Sequence, residues 1–347
     1  MKKGLRLTAL TAAACLVLSG FPVGWSCAEA SVSHPDKYSG YVVEEGIDVS
    51  IWNGLINWFK VKESGVDFAF VRAGGVYYNS GVFYPDENFE RNVDGAILAG
   101  IDTGVYFYSQ AISEEEAVKE AEYVLSLIDG RELQMPVVFD FEYAGGGTEG
   151  RLYNAHLSAR EQTNICMKFC ETIEEAGYDA MVYANAYMLW HRLYGNEIQD
   201  KYGVWLAEYH WNGGTATYLG EYDFWQYTQY GLTEGIEGYT DRNYRYIEPT
   251  VDVDCESARC IKLSWPELND AEGYMIYRKY GEREYELLAE IKGSEVSSYN
   301  DSGIRTGREY TYKIVPYETL DDGSIYEITD LYPEVSGRVS WNFWWRR

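Results

Sequence analysis

The stretch Pro136-Val137-Val138-Phe139-Asp140-Phe141-Glu142 decides how this chain is read. An apolar run closing on Asp-x-Glu suits a strand buried on both faces whose C-terminal end reaches a polar rim. Side chains alternate along a strand, so Asp140 and Glu142 share one face while Phe141 takes the other. Two like charges on one face, behind a wholly apolar strand, repel each other and lose solvation. That combination raises one pKa toward neutrality and creates a proton donor. The competing structural role is a solvated strand end, or a salt bridge to a residue such as Arg72.

Outward from this strand, β-rich runs alternate with amphipathic helical patterns. Strands are expected at Gly46–Ser50, Asp67–Arg72, Thr103–Ser109, Pro136–Glu142 and Asp179–Asn185, with helices near 55–64, 88–99, 113–128, 158–176 and 186–199. Ser113 with Glu116, and Ser158 with Glu161, have capping-box spacing, and Gly65, Gly100 and Gly177 stand where helices should stop. Three further runs follow without room for full helices, at Gly203–Tyr209, Asp223–Thr228 and about Ile236–Asp241. Five strand–helix units and three strands make eight strands, the number that closes a small barrel. An open doubly wound sheet is the competitor, but no glycine-rich phosphate loop follows the first strand. The expected fold class is therefore α/β, a flattened TIM-like (β/α)5(β)3 barrel over residues 45–248. Residues 251–337 change character to alternating strands at Cys260–Trp265, Gly273–Lys279, Tyr285–Ile291 and Glu309–Tyr317. Turn signals such as Asn269-Asp270 and Asp322-Gly323 lie between them, which predicts a small all-β, immunoglobulin-like sandwich. Residues 338–347 form an aromatic-basic tail.

Sites in such barrels lie at the C-terminal ends of the strands. Four carboxylates are expected there: Asp48, Asp140, Glu142 and Asp241. Paired carboxylates suit glycoside hydrolysis, one protonating the leaving oxygen and one stabilising the cationic centre. The histidines, His34, His156, His191 and His210, lack the spacing of a metal site or a triad, and no Gly-x-Ser-x-Gly elbow is present. No metal or cofactor is implied. The 33 Tyr and 11 Trp are numerous enough to suggest stacking against sugar rings in addition to core filling. A net charge of −26 argues against nucleic acid as a partner.

Lys2, Lys3 and Arg6 precede an apolar run from Leu5 to Leu18, and Ala28-Glu29-Ala30 fits a cleavage site. Residues 1–30 thus read as a signal peptide and 31–44 as a linker. Cys15 and Cys27 lack a good lipobox, and no stable membrane insertion is expected after cleavage. Cys166 and Cys170 fit buried core thiols. Cys255 and Cys260 flank a short turn that suits a disulfide or two thiols equally.

The ordered set of motifs resembles the glycoside hydrolase family 25 lysozymes, the Chalaropsis-type N-acetylmuramidases. It runs through Gly46-Ile47-Asp48-Val49-Ser50, Asn57-Trp58, Phe70-Val71-Arg72-Ala73, Asn88-Phe89 with Asn92, and Gly104-Val105-Tyr106-Phe107-Tyr108. It continues with the opening stretch, Tyr183-Ala184-Asn185, Trp205-Leu206-Ala207-Glu208-Tyr209, Trp225-Gln226-Tyr227-Thr228 and Asp241-Arg242-Asn243. The resemblance implies β-1,4 cleavage between N-acetylmuramic acid and N-acetylglucosamine in bacterial peptidoglycan; the signal peptide predicts a secreted or wall-associated protein, expected as a monomer. The resemblance further implies Glu142 as proton donor and Asp140 as support for the substrate's attacking acetamido group, with Asp48 and Asp241 completing the catalytic set. Tyr106, Tyr108, Tyr183, Trp205, Tyr209 and Trp225 fall on strand ends and are candidates to line a sugar groove. The chain departs from the family at Thr240 and Arg242, where aliphatic residues often flank the last Asp; Arg242 either tunes Asp241 or faces solvent. Gly145-Gly146-Gly147 suggests a mobile loop beside the cleft. Activity on another N-acetylated glycan, or wall binding without catalysis, are the alternatives. Ile261-Lys262-Leu263-Ser264-Trp265, Gly273-Tyr274-Met275-Ile276-Tyr277-Arg278 and Tyr310-Thr311-Tyr312-Lys313-Ile314 resemble a fibronectin type III domain.

Overall fold

The computed structural model describes residues 32–210, 213–257, 259–268, 271–320, 323–328 and 331–339. The expected signal segment with Cys15 and Cys27, the turn residues Asn269, Asp270 and Asp322, and tail residues 340–347 lie outside the described residues.

The chain runs β1 (Val42–Val49), α1 (Trp58–Glu63), β2 (Phe68–Val76), β3 (Phe83–Pro85), α2 (Phe89–Leu98), β4 (Asp102–Tyr108), α3 (Glu114–Ile128) and β5 (Val137–Asp140). Three helical pieces follow: a distorted turn α4 (Ala144–Gly147), α5 (Gly150–Asn154) and α6 (Ala159–Glu175). After them come β6 (Ala180–Asn185), α7 (Ala186–His191), α8 (Gly195–Gln199), β7 (Val204–Ala207), β8 (Phe224–Gly231) and β9 (Thr240–Ile247). Eight of these strands close on themselves in the order β1-β9-β8-β7-β6-β5-β4-β2, and β2 pairs back onto β1. β3 hangs on β2 as an antiparallel appendage. The successive pairs from β1 and β2 through β7 and β8 are parallel, whereas β9 runs antiparallel to both neighbours.

Two apolar cores sit on either side of this wall. Inside the barrel, Phe68, Phe70, Val138, Met181, Trp205 and Phe224 fill the lower half. Outside it, Val71, Val105, Phe107, Val137, Phe139 and Phe141 meet the helices, with Phe139 stacked on Phe169 of α6 at 4.2 Å. The strand of the opening motif is thus apolar on both faces because each face has a core to enter.

Helix boundaries follow their caps. Ser158 and Glu161 form the reciprocal capping box, but Ser113 caps Glu116 one way, because the Glu116 carboxylate reaches Ile112 N and Arg151 instead. Gly65, Gly100 and Gly177 follow their helices with φ of 88°, 73° and 90°, the left-handed conformation that glycine adopts without strain. The helix expected at 186–199 is two short ones, since Tyr194 at their junction holds ψ at 76°.

Three expectations are corrected. Residues 32–44 are not a free linker: Tyr38 is buried against Tyr222 and Tyr246, and β1 starts at Val42. The last barrel strand is Thr240–Ile247, not 236–241, so Asp241 begins that strand instead of ending it. The tail does not begin at 338: Arg338 pairs with Glu309 on the sandwich, and Val339 is buried in its core. The thiols of Cys166 and Cys170 are buried as expected, and no disulfide joins Cys255 to Cys260.

Residues 252–338 form the all-β part. β10 (Asp252–Ser257), β11 (Cys260–Ser264) and β14 (Ser298–Asp301) make one sheet. β12 (Gly273–Tyr280), β13 (Glu286–Lys292), β15 (Glu309–Thr319), β16 (Ile325–Glu327) and β17 (Val335–Arg338) make the other. Ile261, Leu263 and Trp265 pack against Tyr274, Ile276, Tyr312 and Ile314 between them.

One glycine inside the barrel has a packing reason. A Cβ at Gly46 would overlap the ring of Phe68, which is itself fully buried. Gly46→Ala is therefore expected to overpack the interior and cost about 1–3 kcal/mol, measured as a lowered denaturation midpoint. An unchanged midpoint would show that the ring can shift.

Candidate active site

The strand register builds the site. Tyr108, Asp140, Tyr183 and Trp205 occupy facing positions on β4, β5, β6 and β7, so their side chains share the inner face. Asp48 faces Asp241 directly across β1 and β9. Because β9 is antiparallel, its first residues lie at the same end as the last residues of β1. A strand beginning therefore supplies the fourth carboxylate to a rim otherwise made of strand ends. Asp48, Asp140, Glu142 and Asp241 all line one cavity of about 1000 Å³.

Asp48 is held by two side-chain amides: Gln226 Nε2 donates at 2.7 Å and Asn243 Nδ2 at 2.9 Å, both to Oδ2. The amide orientations are forced. Trp205 Nε1, which can only donate, gives its hydrogen to Asn243 Oδ1 at 2.8 Å, leaving the Asn243 amino group for Asp48. Tyr183 and Tyr209 hydroxyls donate to Gln226 Oε1 at 2.8 and 2.5 Å, turning its amino group the same way. Burial pushes the Asp48 pKa up to about 6, and these two amides oppose the rise.

None of the other three carboxyls has two such amides. Burial pushes Glu142 up to about 7, opposed by a hydrogen bond with Asn185 and reinforced by the Asp48 charge. Burial, then Asp48, pushes Asp241 up to about 8. Asp140 is raised well above the carboxylate range by burial and then by Glu142 and Asp48, with Arg72 opposing. Its Oδ1 is buried and accepts no hydrogen bond. Arg72 is the only cation among the described residues lining the cavity, and it is committed to Asp86 at 2.8 Å rather than to Asp140 or Glu142. With four carboxyls and no free counter-charge, the cluster must hold protons near neutral pH.

That has a stability consequence. A carboxyl whose folded pKa is raised binds more protons folded than unfolded between the two values, so its stabilising contribution is full at low pH and is lost as pH rises through the folded value. Asp241→Asn is expected to leave Tm nearly unchanged at pH 4. At pH 8 it should raise Tm by about 2–4 °C, the response of a domain this size to ~1 kcal/mol. A Tm gain at pH 4 as large as that at pH 8 would sink this account.

Of the six aromatic residues expected in the groove, Tyr106, Tyr108, Tyr183, Trp205 and Tyr209 line it. Trp225 does not. It sits in the outer core with Nε1 donating to Glu208 O at 2.8 Å, because β8 pairs with β7 so that Gln226 takes the inner position. Arg242 likewise points outward, to Glu45 and Leu232 O, and neither tunes Asp241 nor stands in open solvent. Trp52, Tyr84, Tyr143, Tyr153 and Tyr187 line the groove without having been expected there. Gln226, Asn243 and Asn185 were quoted only as motif members. For Gln226 and Asn185 the alternation with apolar neighbours was the available signal for an inward role, whereas Asn243, next to Arg242, had none. Gly145, Gly146 and Gly147 line the groove too, each with positive φ.

Residues 47–236 match the family model described as Glycosyl hydrolases family 25. The chain is 29% identical over 215 residues to Lysozyme M1 of Streptomyces globisporus, covering 57% of this chain and 66% of that one. It is 28% identical over 199 residues to the Autolytic lysozyme of Clostridium acetobutylicum, covering 57% of this chain and 54% of that one. The aligned part thus spans less than two thirds of either relative. Among solved structures, the bacterial lysozyme from Streptomyces coelicolor aligns with 58% of this chain and 90% of its own, at 28% identity and a TM-score of 0.48. With the family model covering more than half of its length, and Asp48, Asp140 and Glu142 within the matched residues, this chain belongs to glycosyl hydrolases family 25.

Proposed function

We propose that the chain is a muramidase that hydrolyses the β-1,4 bond between N-acetylmuramic acid and N-acetylglucosamine in bacterial peptidoglycan. The observation that carries this reading is the placing of buried Glu142, whose pKa burial raises to about 7, beside Asp140, whose Oδ1 is buried without a donor. An N-acetyl sugar supplies both missing pieces. Its acetamido N–H satisfies Asp140, and its carbonyl oxygen serves as the nucleophile, so no second carboxylate need bond to the sugar. Glu142, neutral below about pH 7, then protonates the leaving oxygen. Asp48, held in place by Gln226 and Asn243, places negative charge near the developing cation, and Asp241 stands beside it at the paired position of β9. Tyr106, Tyr108, Tyr183, Trp205 and Tyr209 supply the aromatic and hydroxyl lining for sugar rings.

Two curated relatives carry lysozyme names, which supports the same substrate class. We read residues 1–30 as a signal peptide that exports the enzyme to the wall as a monomer. The three motif stretches and the two-sheet arrangement support a fibronectin type III-like module over 251–339. The test is digestion of purified peptidoglycan, then borohydride reduction and sugar analysis. New reducing ends on muramic acid are expected. Reducing ends on glucosamine alone, or hydrolysis of chitin in preference to peptidoglycan, would overturn the assignment.

A further inference from the structure

A second cavity, of about 470 Å³, opens on the outside of the barrel beyond α7. Trp190, Tyr194 and Leu219 line it and are 48%, 45% and 87% exposed, which is unusual for such large apolar side chains clustered together. The cavity is joined to the catalytic groove by rings. Tyr187 lines the groove, its ring lies 5.1 Å from that of His191, His191 lies 6.5 Å from Trp190, and Trp190 lies 5.9 Å from Tyr218 at the cavity wall. α7 follows directly on Asn185 at the end of β6, so this path leaves the groove on the rim where the carboxylates stand.

The lining carries no unsatisfied charge. Arg160 lies over the Tyr194 ring at 4.3 Å and gives both Nη atoms to Glu197 at 2.6 and 2.8 Å. Aromatic faces with polar edges and paired charges suit a neutral polyhydroxylated chain, whose C–H faces stack on the rings. An anionic polymer would meet no free cation here and a chain of net charge −26.

We propose that this track binds peptidoglycan glycan outside the groove, anchoring the enzyme to the insoluble wall. The proposal rests on the muramidase reading for its ligand. The test uses the full chain carrying Glu142→Gln, so that the wall survives the measurement, with and without Trp190→Ala and Tyr194→Ala. Binding to purified sacculi is expected to weaken at least fivefold in the triple variant. In the active background, the two alanine substitutions should leave hydrolysis of a short soluble muramyl oligosaccharide within twofold of wild type. Unchanged sacculus affinity overturns the proposal. If oligosaccharide hydrolysis falls as well, Trp190→Phe with Tyr194→Phe must restore sacculus binding; if it does not, the surface only supports the fold and the proposal fails. If wild type frees no muramic reducing ends while sacculus binding still depends on Trp190 and Tyr194, the reaction assigned above is wrong and the track stands.

Discussion

Glu142→Gln is expected to lower turnover on peptidoglycan by about 10²–10⁴-fold, the range that a positioned general acid contributes. The substitution keeps the shape of the side chain and its capacity to bond Asn185, so the groove should survive it. What disappears is a transferable proton. Burial raises the Glu142 pKa to about 7, hence the acid is protonated below that pH and lost above it. Wild-type kcat/KM should therefore fall as pH rises through about 7, and the residual activity of the variant should lack that limb. The measurement is a pH–rate profile on solubilised peptidoglycan for both proteins. A variant within tenfold of wild type at pH 6 would remove Glu142 from the role of acid.

Asp140→Asn carries the second-largest expected effect, a loss of about 10²–10³-fold in kcat, comparable to removing one group that stabilises transition-state charge. As the acetamido oxygen attacks, positive charge develops on the acetamido nitrogen, and an anion beside that N–H stabilises the transition state more than the ground state. An asparagine oxygen still accepts the hydrogen bond but brings no charge, so KM should change little while kcat falls. Burial, Glu142 and Asp48 raise the Asp140 pKa against Arg72, so this role requires Asp140 to give up its proton when the acetamido group docks. A rise in KM with kcat intact would instead make Asp140 a binding group and require another account of the nucleophile.

Much of the barrel is written in local patterns. Apolar strands, capping serines and left-handed glycines mark five strand–helix repeats, because each depends on contacts within a few residues. The pair Asp140 and Glu142 is equally local, since a period of two puts both on one face whatever surrounds them. Other parts escaped for one physical reason. Which face of a strand points inward depends on its register with its neighbours, and register is a property of pairs of distant segments. Trp225 and Gln226 illustrate this: either parity suits an isolated strand, and only the pairing of Ala207 with Gln226 puts the amide inside and the indole outside. Asp241 was assigned to the rim as a strand end, yet it reaches the rim as a strand beginning, because β9 is antiparallel.

The opening stretch by itself determined a buried strand carrying two carboxyls on one face at its end. Its environment did not follow from it. Tertiary structure placed Asp48 and Asp241 opposite that pair, gave Asp48 two amide donors, left Asp140 with none, and tied the nearby cation Arg72 to Asp86. Those differences in donors and counter-charges separate four chemically similar carboxyls. They arise only when segments as far apart as residues 48 and 243 are brought within hydrogen-bond distance.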